Sequence, residues 1–490
     1  MKIRSVGPAS RPVQAFFFLL LSCHLAAQTR DGNTIRFARQ DGSAELEWIS
    51  DKSFRVARRF GATLTPSAPI GETVKYQLLE REPHLLIKSA SLSIELDPIA
   101  FRLRVFDISR GLWLTNWESI TPATVGRSLL PEERIYGLGP RQQLRLDARG
   151  EKVSASAALA ISSRGYGVFF AGGPYVFDLT AGFAVKGGAP DLVEYVFYLG
   201  PRLKDIYERH LDIVPQRWFM ARQHVSGLNP LSKPPYATLL PLSVPAIVHA
   251  SLAGVVTPAV DCREHRELWC DYMPLMLGDD TPLRRSLEPY LVTYLQEAKD
   301  RGYPVVRPIP LQYPGDLEAG AQADAFMLGD ELLIAPGAPR ALRLPMGLWT
   351  DLRTNRTYPG RRTYQIEEPG LAVFAKNGAL VPFAREGVYE MHYYPKLGGE
   401  FFIYESETAQ WTQLHASPAG VYLRLEAETK VSRDYEWVVH HVDAPVTVES
   451  VTKHTWRYDA ERRNLHVRHH AEAGSDVIVN LRFEGAPLDD

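Results

Sequence analysis

Cysteine is scarce in this chain, with three residues in 490. So few cysteines cannot hold together a small disulfide-rich fold, and the protein therefore depends on hydrophobic cores. Cys262 and Cys270 either pair in an oxidising compartment or lie buried as two small residues. The spacing of Cys262, His265 and Cys270 matches no usual zinc pattern, so we predict neither a metal site nor a cofactor.

An excess of charge of one sign is also missing. Lys and Arg number 55 and Asp and Glu number 57, for a formal net charge of −2. There is no basic excess of the kind that nucleic-acid binding requires, and no acidic tail. No period of 20 to 50 residues repeats, which argues against a propeller or a solenoid.

Residues 1–28 are typical of an export signal. They combine a basic start, the apolar run AFFFLLLSC of residues 15–23, and the small residues LAA before a cleavage position. That run is shorter than the ~20 residues of a membrane-spanning helix. We therefore expect a periplasmic or extracellular protein without a membrane span. The sequence LLSC at residues 20–23 also resembles a bacterial lipobox, which would make Cys23 a lipid anchor.

From Asn33 to about Pro215 the chain consists of short segments in which apolar and polar residues alternate. Such segments, separated by Gly, Pro, Asp and Asn, are typical of a β-sandwich. A chain of 490 residues is too long for one core, so two to four domains are expected. The clearest predicted strands are residues 34–39, 45–49, 53–58, 85–88, 92–96 and 101–105.

Residues 286–336 predict a helix followed by two strands. Apolar residues recur at helical spacing from Leu287, and Gly302 ends the helix. This order is typical of the last β/α unit of a barrel, in which a buried strand follows a long helix. The predicted elements after the helix are a strand over 304–308, a turn over 324–330 and a strand over 331–335.

Several sequence stretches resemble glycoside hydrolase family 31, which contains α-glucosidases, α-xylosidases and related retaining enzymes. IYGLGP at 135–140 is similar to the YGLGE turn of that family, with Pro140 in place of the acidic residue. The longer stretches are PYLVTYLQEAKDRGYPVVRPI (289–309), QADAFMLGDELLIAP (322–336) and LPMGLWTDLRTNRTYPG (344–360).

The resemblance covers roughly Leu85 to Phe483 and implies a multidomain, mainly β fold. Its expected parts are an N-terminal galactose-mutarotase-like β-sandwich (29–215), a truncated (β/α)-barrel remnant (216–340), a proximal C-terminal β-domain (341–388) and a distal C-terminal β-sandwich (389–490).

The resemblance also implies where a sugar would bind. In the family, a loop of the N-terminal domain lies over the sugar pocket. The corresponding residues here are Arg141, Gln142, Gln143 and Asp147. An exposed polar loop without a ligand is the alternative interpretation.

Three further candidates for sugar binding lie in the barrel region. Asp261 stands where the family has an aspartate that hydrogen-bonds sugar hydroxyls, although Arg263-Glu264-His265 replaces the usual Gly-Gly-Phe after it. Asp279 lies where an Arg-Asn-His motif is expected, and Trp218 lies in the stretch that resembles the first barrel strand. A surface or capping role is the alternative for the two carboxylates.

Most of the catalytic barrel has no counterpart in the sequence. An eight-stranded barrel takes ~200 residues, and residues 215–310 are all that is available. The nucleophile and acid/base motifs of the family are not found before Leu242, so the catalytic residues are unknown. Retaining hydrolysis needs two carboxyl groups ~5–5.5 Å apart. No such pair can be assigned among Asp261, Glu264, Asp271, Asp279 and Asp280.

Three interpretations of function follow. The first is an exported, carbohydrate-binding pseudoenzyme that recognises α-linked glycans with impaired or absent hydrolysis. The second is an active retaining α-glycosidase with a rearranged or intersubunit site. The third is a truncated product with no stable role. A short barrel remnant leaves sheet edges that either the flanking β-domains or a homo-oligomer would have to cover.

Overall fold

The computed structural model describes most of the chain after the predicted export signal. The described residues are 28–65, 71–139, 141, 143–155, 158–170, 174–213, 244–252, 281–301, 303–336, 340–367, 371–395 and 397–484.

The N-terminal part is built from eighteen short strands. They are β1 Gln28–Asp31, β2 Thr34–Arg39, β3 Gly42–Ser50, β4 Ser53–Phe60, β5 Gln77–Arg81, β6 His84–Lys88, β7 Leu92–Asp97, β8 Arg102–Asp107, β9 Leu112–Trp113, β10 Glu118–Thr121, β11 Thr124–Arg127, β12 Ile135–Gly137, β13 Lys152–Ala155, β14 Leu159–Ser162, β15 Tyr166–Phe170, β16 Tyr175–Asp178, β17 Phe183–Gly187 and β18 Leu192–Leu199.

These strands form two sheets that enclose a hydrophobic core. One sheet has the order β1-β2-β3-β4-β18-β15-β14-β12, and the other has the order β13-β16-β17-β11-β10-β8-β7-β6-β5 with β9 beside β8. Alternation explains the core, because every second residue of a strand points to the same face. Ile87, Ile94 and Val105 lie next to one another on paired strands and are all buried. The six predicted strands are therefore confirmed, and β4 runs to Phe60.

Helices connect the N-terminal part to the rest of the described chain. They are α1 Leu203–Ile213, α2 Val244–Leu252, α3 Thr281–Ser286, α4 Glu288–Arg301 and the single turn α5 Ile309–Gln312. The tyrosines of α4 share one buried face, since Tyr290 and Tyr294 are four residues apart and both are buried. Tyr290 stacks on Phe401 with ring centroids 5.7 Å apart, which joins α4 to the C-terminal strands.

The C-terminal part again consists of strands. They are β19 Val306–Pro308, β20 Phe326–Leu328, β21 Leu332–Pro336, β22 Arg340–Arg343, β23 Leu348–Asp351, β24 Thr357–Pro359, β25 Thr363–Ile366, β26 Leu371–Lys376, β27 Leu380–Arg385, β28 Val388–Tyr393, β29 Gly399–Glu405, β30 Gln410–Ala419, β31 Tyr422–Glu428, β32 Arg433–Val439, β33 Thr447–Ser450, β34 His454–Asp459, β35 Asn464–Ala471 and β36 Asp476–Arg482.

The sequence predicted β19 as the last strand of a barrel, and the antiparallel partner that the structure gives this strand was not predicted. The strand β19 pairs antiparallel with β20, which pairs antiparallel with β21, in a six-stranded sheet of order β19-β20-β21-β26-β23-β24. The predicted turn over 324–330 was also wrong, because Phe326–Leu328 is a strand and the turn lies at Gly329 and Asp330. In the described part of the chain, the parallel pair is β28 with β32.

The last strands form two five-stranded sheets, of order β27-β28-β32-β35-β34 and β29-β30-β31-β36-β33. Between them lies a core of alternating apolar residues such as Trp437, Val467 and Leu481. The prediction of a multidomain, mainly β fold is thus confirmed. None of the described helices is both long enough and apolar enough to span a bilayer.

Candidate functional site

Arg141, one of the predicted sugar contacts, is a buried residue. Its Nη1 donates to Glu151 Oε2 at 2.7 Å, and its Nη2 donates to the carbonyl of Leu146 at 2.8 Å. The same Nη2 lies 3.2 Å from Nδ1 of His249 in α2. Burial lowers the pKa of Arg141, and the carboxylate of Glu151 opposes that effect. Both terminal nitrogens of the guanidinium thus contact protein groups, its buried Nε has no partner among the described residues, and its contact with sugar stays a prediction.

His249 is the partner that sequence reasoning missed. Its side chain is buried, and burial, with the charge of Arg141 second, lowers its pKa to about 4. The ring is thus neutral at pH 7. Since Nε2 lies 2.9 Å from the carbonyl of Gln143, which can only accept, Nε2 carries the proton and Nδ1 accepts from Arg141. A single histidine in the apolar stretch LSVPAIVHASL does not indicate that its ring would bond helix α2 to the loop of residues 141–143.

The loop after Arg141 pairs with the C-terminal part of the chain. Arg145 forms an isolated antiparallel bridge with Gln322. On either side of this bridge, the amide of Leu146 donates to Ala321 at 3.1 Å and the amide of Ala323 donates to Leu144 at 2.8 Å. The segment predicted to lie over a sugar pocket thus joins the N-terminal sandwich to the C-terminal part of the chain, which begins at β19.

Asp147, another predicted loop contact, closes a local turn. Its Oδ1 accepts from the amides of Ile135 at 3.1 Å and of Arg149 at 3.0 Å. The side chain is buried. A carboxylate in this environment holds the loop in shape, whereas the sequence analysis had set an exposed polar loop against sugar binding.

Gly137, in the GLG turn, allows helix α2 to approach the N-terminal sheet closely. Its φ is +89°, and a Cβ there would lie 2.4 Å from the carbonyl oxygen of Leu159 and 3.4 Å from that of Leu252, the last residue of α2. The glycine therefore serves a turn and a close backbone approach.

A second polar cluster surrounds Arg307, which lies in β19. Arg307 contacts Asp330 of the β20–β21 turn and Glu297 of α4, and its Nε donates to the carbonyl of Pro304 at 2.9 Å. Lys204 of α1 donates to both oxygens of Asp330, at 2.8 and 2.9 Å. The cluster ties α1, α4 and the six-stranded sheet together.

The neighbouring carboxyl groups of this cluster have opposite pKa shifts. Burial alone would raise the pKa of Asp330, but Arg307 and Lys204 lower it to about 2. Burial raises the pKa of Glu331, whose Oε2 accepts from Tyr294 and whose Oε1 lies 3.4 Å from Lys376. Two neighbouring carboxyl groups whose pKa values are shifted in opposite directions are the combination that acid/base catalysis uses. Here the oxygens of both groups are occupied by protein partners, so the pair joins elements and has no group free for a substrate.

The other predicted site residues lie outside the described residues. These are Asp261, Asp279, Trp218 and Gln142, together with the Cys262, His265 and Cys270 group. The segments predicted as the first and a later barrel strand, 216–224 and 254–261, also lie there. In the described ranges, no three His, Cys, Asp or Glu side chains converge as a metal site requires.

Comparison with known families gives one match in the C-terminal part. A family model described as the glycosyl hydrolase family 31 C-terminal domain matches residues 302–381. A probable glucan 1,3-alpha-glucosidase of Arabidopsis thaliana is 34% identical over 115 residues, which is 22% of this chain and 12% of that protein. Alpha-glucosidase 2 of Bacillus thermoamyloliquefaciens is 25% identical over 224 residues, 42% of this chain and 26% of that protein. The chain thus matches only a small part of the length of these curated relatives.

Solved structures match over much more of the chain. The family 31 dextranase of Flavobacterium johnsoniae in complex with isomaltotriose has a TM-score of 0.71 at 14% identity, covering 94% of this chain and 100% of that one. The family 31 α-xylosidase of Xanthomonas citri has a TM-score of 0.65 at 10% identity, covering 92% and 99%. At such identities the likeness concerns the fold. Residues 302–381 thus match the C-terminal domain of glycoside hydrolase family 31, and the chain shares the fold of solved family 31 enzymes.

Proposed function

We propose that this protein is an exported family 31 relative that binds α-linked glycans and has lost hydrolysis. The observation that carries this proposal is the small number of residues between the two β-rich parts. Helix α1 ends at Ile213 and α3 begins at Thr281. A (β/α)₈ barrel takes ~200 residues, which residues 214–280 cannot supply.

The loss of activity follows from the geometry of the reaction. A retaining glycosidase holds a nucleophile and a proton donor ~5–5.5 Å apart on opposite sides of the scissile bond. A displacement of ~1 Å of such groups costs about 100-fold in rate. The strands that carry these two groups in the family have no counterpart in this sequence, and the carboxyl pair found near Arg307 is bonded to other protein groups.

Glycan binding is supported by what the relatives bind and by what this chain retains. Among the structural neighbours, the dextranase holds isomaltotriose, and the cycloalternan-forming enzyme of Listeria monocytogenes holds a pentasaccharide substrate. The β-rich parts that flank the short segment keep the family fold. Asp261, Asp279, Trp218 and Arg141 remain the proposed contacts with the sugar.

The test is a parallel measurement of turnover and binding by the purified protein. We expect no hydrolysis of aryl α-glucosides or α-xylosides above the uncatalysed rate, and heat of binding with isomaltotriose or maltotriose in calorimetry. Turnover that Asp261→Ala abolishes would contradict the proposal and favour an active α-glycosidase with a rearranged or intersubunit site. Asp443→Ala, which removes an exposed carboxylate paired with Arg463 far along the chain, is the matched control.

Export is proposed from residues 1–28 alone. The measurement is the N-terminal mass of the protein expressed in a bacterium and recovered outside the cytoplasm. We expect a mature chain that begins at Gln28 or Thr29. A chain that begins at a lipid-modified Cys23 would support export with a membrane anchor, and a full-length chain retained in the cytoplasm would contradict export.

A further inference from the structure

The hairpin of β29 and β30 carries a group of aromatic residues on the outer face of the distal sandwich. Tyr404 is paired with Trp411, and Phe402 is paired with Gln413 two residues further along the same strands. Because side chains at even spacing share a face of a sheet, these four residues lie side by side on one surface. We call them the hairpin face.

The core does not account for the hairpin face. The residues in between, Phe401, Ile403 and Leu414, point inward and are buried, whereas Phe402 is 39% exposed and Tyr404 and Trp411 are half-buried. The rings of Tyr404 and Trp411 contact each other with centroids 5.1 Å apart and planes at 57°. Three large aromatic side chains thus remain at the surface, where they add little to the stability of the sandwich.

The polar groups of the hairpin face are available to a ligand. Within the described residues, Tyr404 Oη, Trp411 Nε1 and the side-chain amide of Gln413 make no hydrogen bond. Other aromatic residues of the C-terminal part use these groups internally. Trp349 Nε1 donates to the carbonyl of Pro345 at 2.8 Å, and Tyr393 Oη donates to that of Leu397 at 2.7 Å.

The charges around the hairpin face are paired with one another. Lys430 contacts Glu428, and His415 lies 3.7 Å from Glu400. The surface thus presents flat apolar rings and neutral hydrogen-bonding groups, with the carboxyl group of Glu400, two residues before Phe402, at its edge. This chemistry favours a neutral ligand that has an apolar face and a rim of hydroxyl groups, which describes a pyranose ring.

The other surface group of tryptophans lacks these properties. The guanidinium of Arg104 lies over Trp113 and Trp117, 3.9 and 4.9 Å from their centroids, and Glu95 binds the same guanidinium. A ring face that holds an arginine of its own chain is not open to a sugar. The hairpin face is therefore the stronger candidate.

We propose that the hairpin face is a glycan-binding surface distinct in sequence from residues 214–280, in which Trp411 stacks on a neutral pyranose ring and Gln413 and Tyr404 bind its hydroxyl groups. This inference rests on the proposed function, because it names a second place at which the same class of ligand binds. It would allow the protein to hold a polysaccharide without any residue of the missing catalytic machinery.

The experiment compares Trp411→Ala with Trp456→Ala by calorimetry, with isomaltotriose and maltotriose as probes. Trp456 is the matched control, since it is an exposed tryptophan (48%) on β34, in the other sheet of the same sandwich. Removal of a stacking aromatic ring is expected to weaken binding about tenfold or more, or to remove one bound sugar per chain. Trp411→Phe keeps a ring and should retain most of the affinity, and Gln413→Ala should weaken binding without a change in folding.

The outcomes separate the two proposals. Loss of binding with Trp411→Ala, together with unchanged binding by Trp456→Ala and equal melting temperatures, supports the hairpin face. Wild-type binding that neither Trp411→Ala nor Gln413→Ala changes overturns the hairpin face and leaves the proposed function standing. A wild-type protein that binds no glycan of an α-linked panel overturns the proposed function itself.

Discussion

Arg307 is a cation whose side chain has no contact with solvent. Burial alone would lower its pKa, but Asp330 and Glu297 raise it, so the charge persists. Such a group is tolerated only while its partners remain, because an uncompensated charge inside a protein is costly. At the scale of single residues, the stability of this chain therefore depends on a few buried ionic contacts more than on its many surface pairs.

Asp330→Asn should destabilise the protein strongly. The substitution leaves Arg307 with Glu297 as its remaining carboxylate and removes the partner of Lys204. We expect the free energy of unfolding in urea to fall by about 3 kcal/mol, as found when one partner of a buried ion pair is removed. The exposed pair of Arg463 and Asp443 provides the control, since Asp443→Asn should change it by less than about 1 kcal/mol. Equal effects of the two substitutions would show that the Arg307 cluster is not a stabilising contact.

His469→Phe should reduce the sensitivity of the protein to acid. Burial, with neighbouring His454 second, lowers the pKa of His469 to about 4, and both of its buried ring nitrogens lack partners in the described chain. An unfolded histidine binds its proton near pH 6.5. The folded state binds that proton only near pH 4. The contribution of neutral His469 to the free energy of unfolding is therefore fully present above pH 6.5, and it falls as the pH drops toward 4.

Each pH unit in that window costs about 1.4 kcal/mol for such a histidine. The difference in unfolding free energy between His469→Phe and wild type should therefore be about 2 kcal/mol larger at pH 5 than at pH 7.5. His470→Gln is the contrast, because Asp434 raises the pKa of this exposed histidine and the pH trend should have the opposite sign. A difference that stays constant with pH would refute the assignment of a neutral, buried His469.

At the scale of elements, the turn between β20 and β21 requires a glycine at position 329. Gly329 has φ +61°, and a Cβ there would lie 2.1 Å from a ring carbon of Tyr294. That ring is fixed, since Tyr294 is buried and its hydroxyl donates to Glu331. The packing of this turn against helix α4, next to the Arg307 cluster, thus requires that residue 329 have no side chain.

Gly329→Ala should be much more harmful than Gly420→Ala. Both glycines are left-handed, with φ of +61° and +58°, but a Cβ at Gly420 would meet nothing within 4 Å. The control should cost about 1–2 kcal/mol from backbone conformation alone, and Gly329→Ala should cost about 2 kcal/mol more through overpacking. Thermal unfolding of the two variants measures the difference. Similar melting temperatures would mean that Tyr294 can move away.

Strand positions were more predictable than strand partners. Alternation located Thr34–Arg39 because one face of that strand is buried and the other is not. The same rule failed at Phe326–Leu328, where all three residues are buried and a run of apolar residues has no period. Antiparallel pairing of β19 with β20 was missed because a helix followed by an apolar strand is compatible with a barrel or with an edge of a sandwich.

In the candidate site, the sequence indicates structure only where a motif requires a particular backbone conformation. Gly137 of the GLG turn has a φ of +89°, a backbone conformation that glycine adopts far more readily than other residues. The roles of Arg141 and His249 could not be predicted, because their contact joins residues that are 108 positions apart. Nothing in the local sequence of either residue specifies such a partner.

At the scale of the whole molecule, the N-terminal sandwich and the C-terminal part of the chain are in direct contact. Besides the bridge of Arg145 with Gln322, Arg134 Nη1 donates to the carbonyl of Leu317 at 2.6 Å and Lys204 binds Asp330. We expect these contacts to make the two parts unfold together.

The double variant Arg134→Met and Lys204→Met should weaken that coupling. Methionine keeps much of the side-chain length and removes the charge and the donors. Calorimetry should show one transition for the wild type and two partly separated transitions for the variant, with Arg463→Met as a surface control. A single transition in both proteins would indicate that the backbone bridge alone couples the two parts.

The hydrogen bonds of residues 144–146 with 321–323 do not involve residues 214–280. A protein engineer could therefore exchange part of that segment, provided that α2, whose His249 contacts Arg141 and Gln143, is kept. A catalytic insert from a family 31 enzyme, spliced between Ile213 and Val244, would join a scaffold whose two parts already bond to each other, and the chimaera would test whether an insert at this place gives hydrolysis.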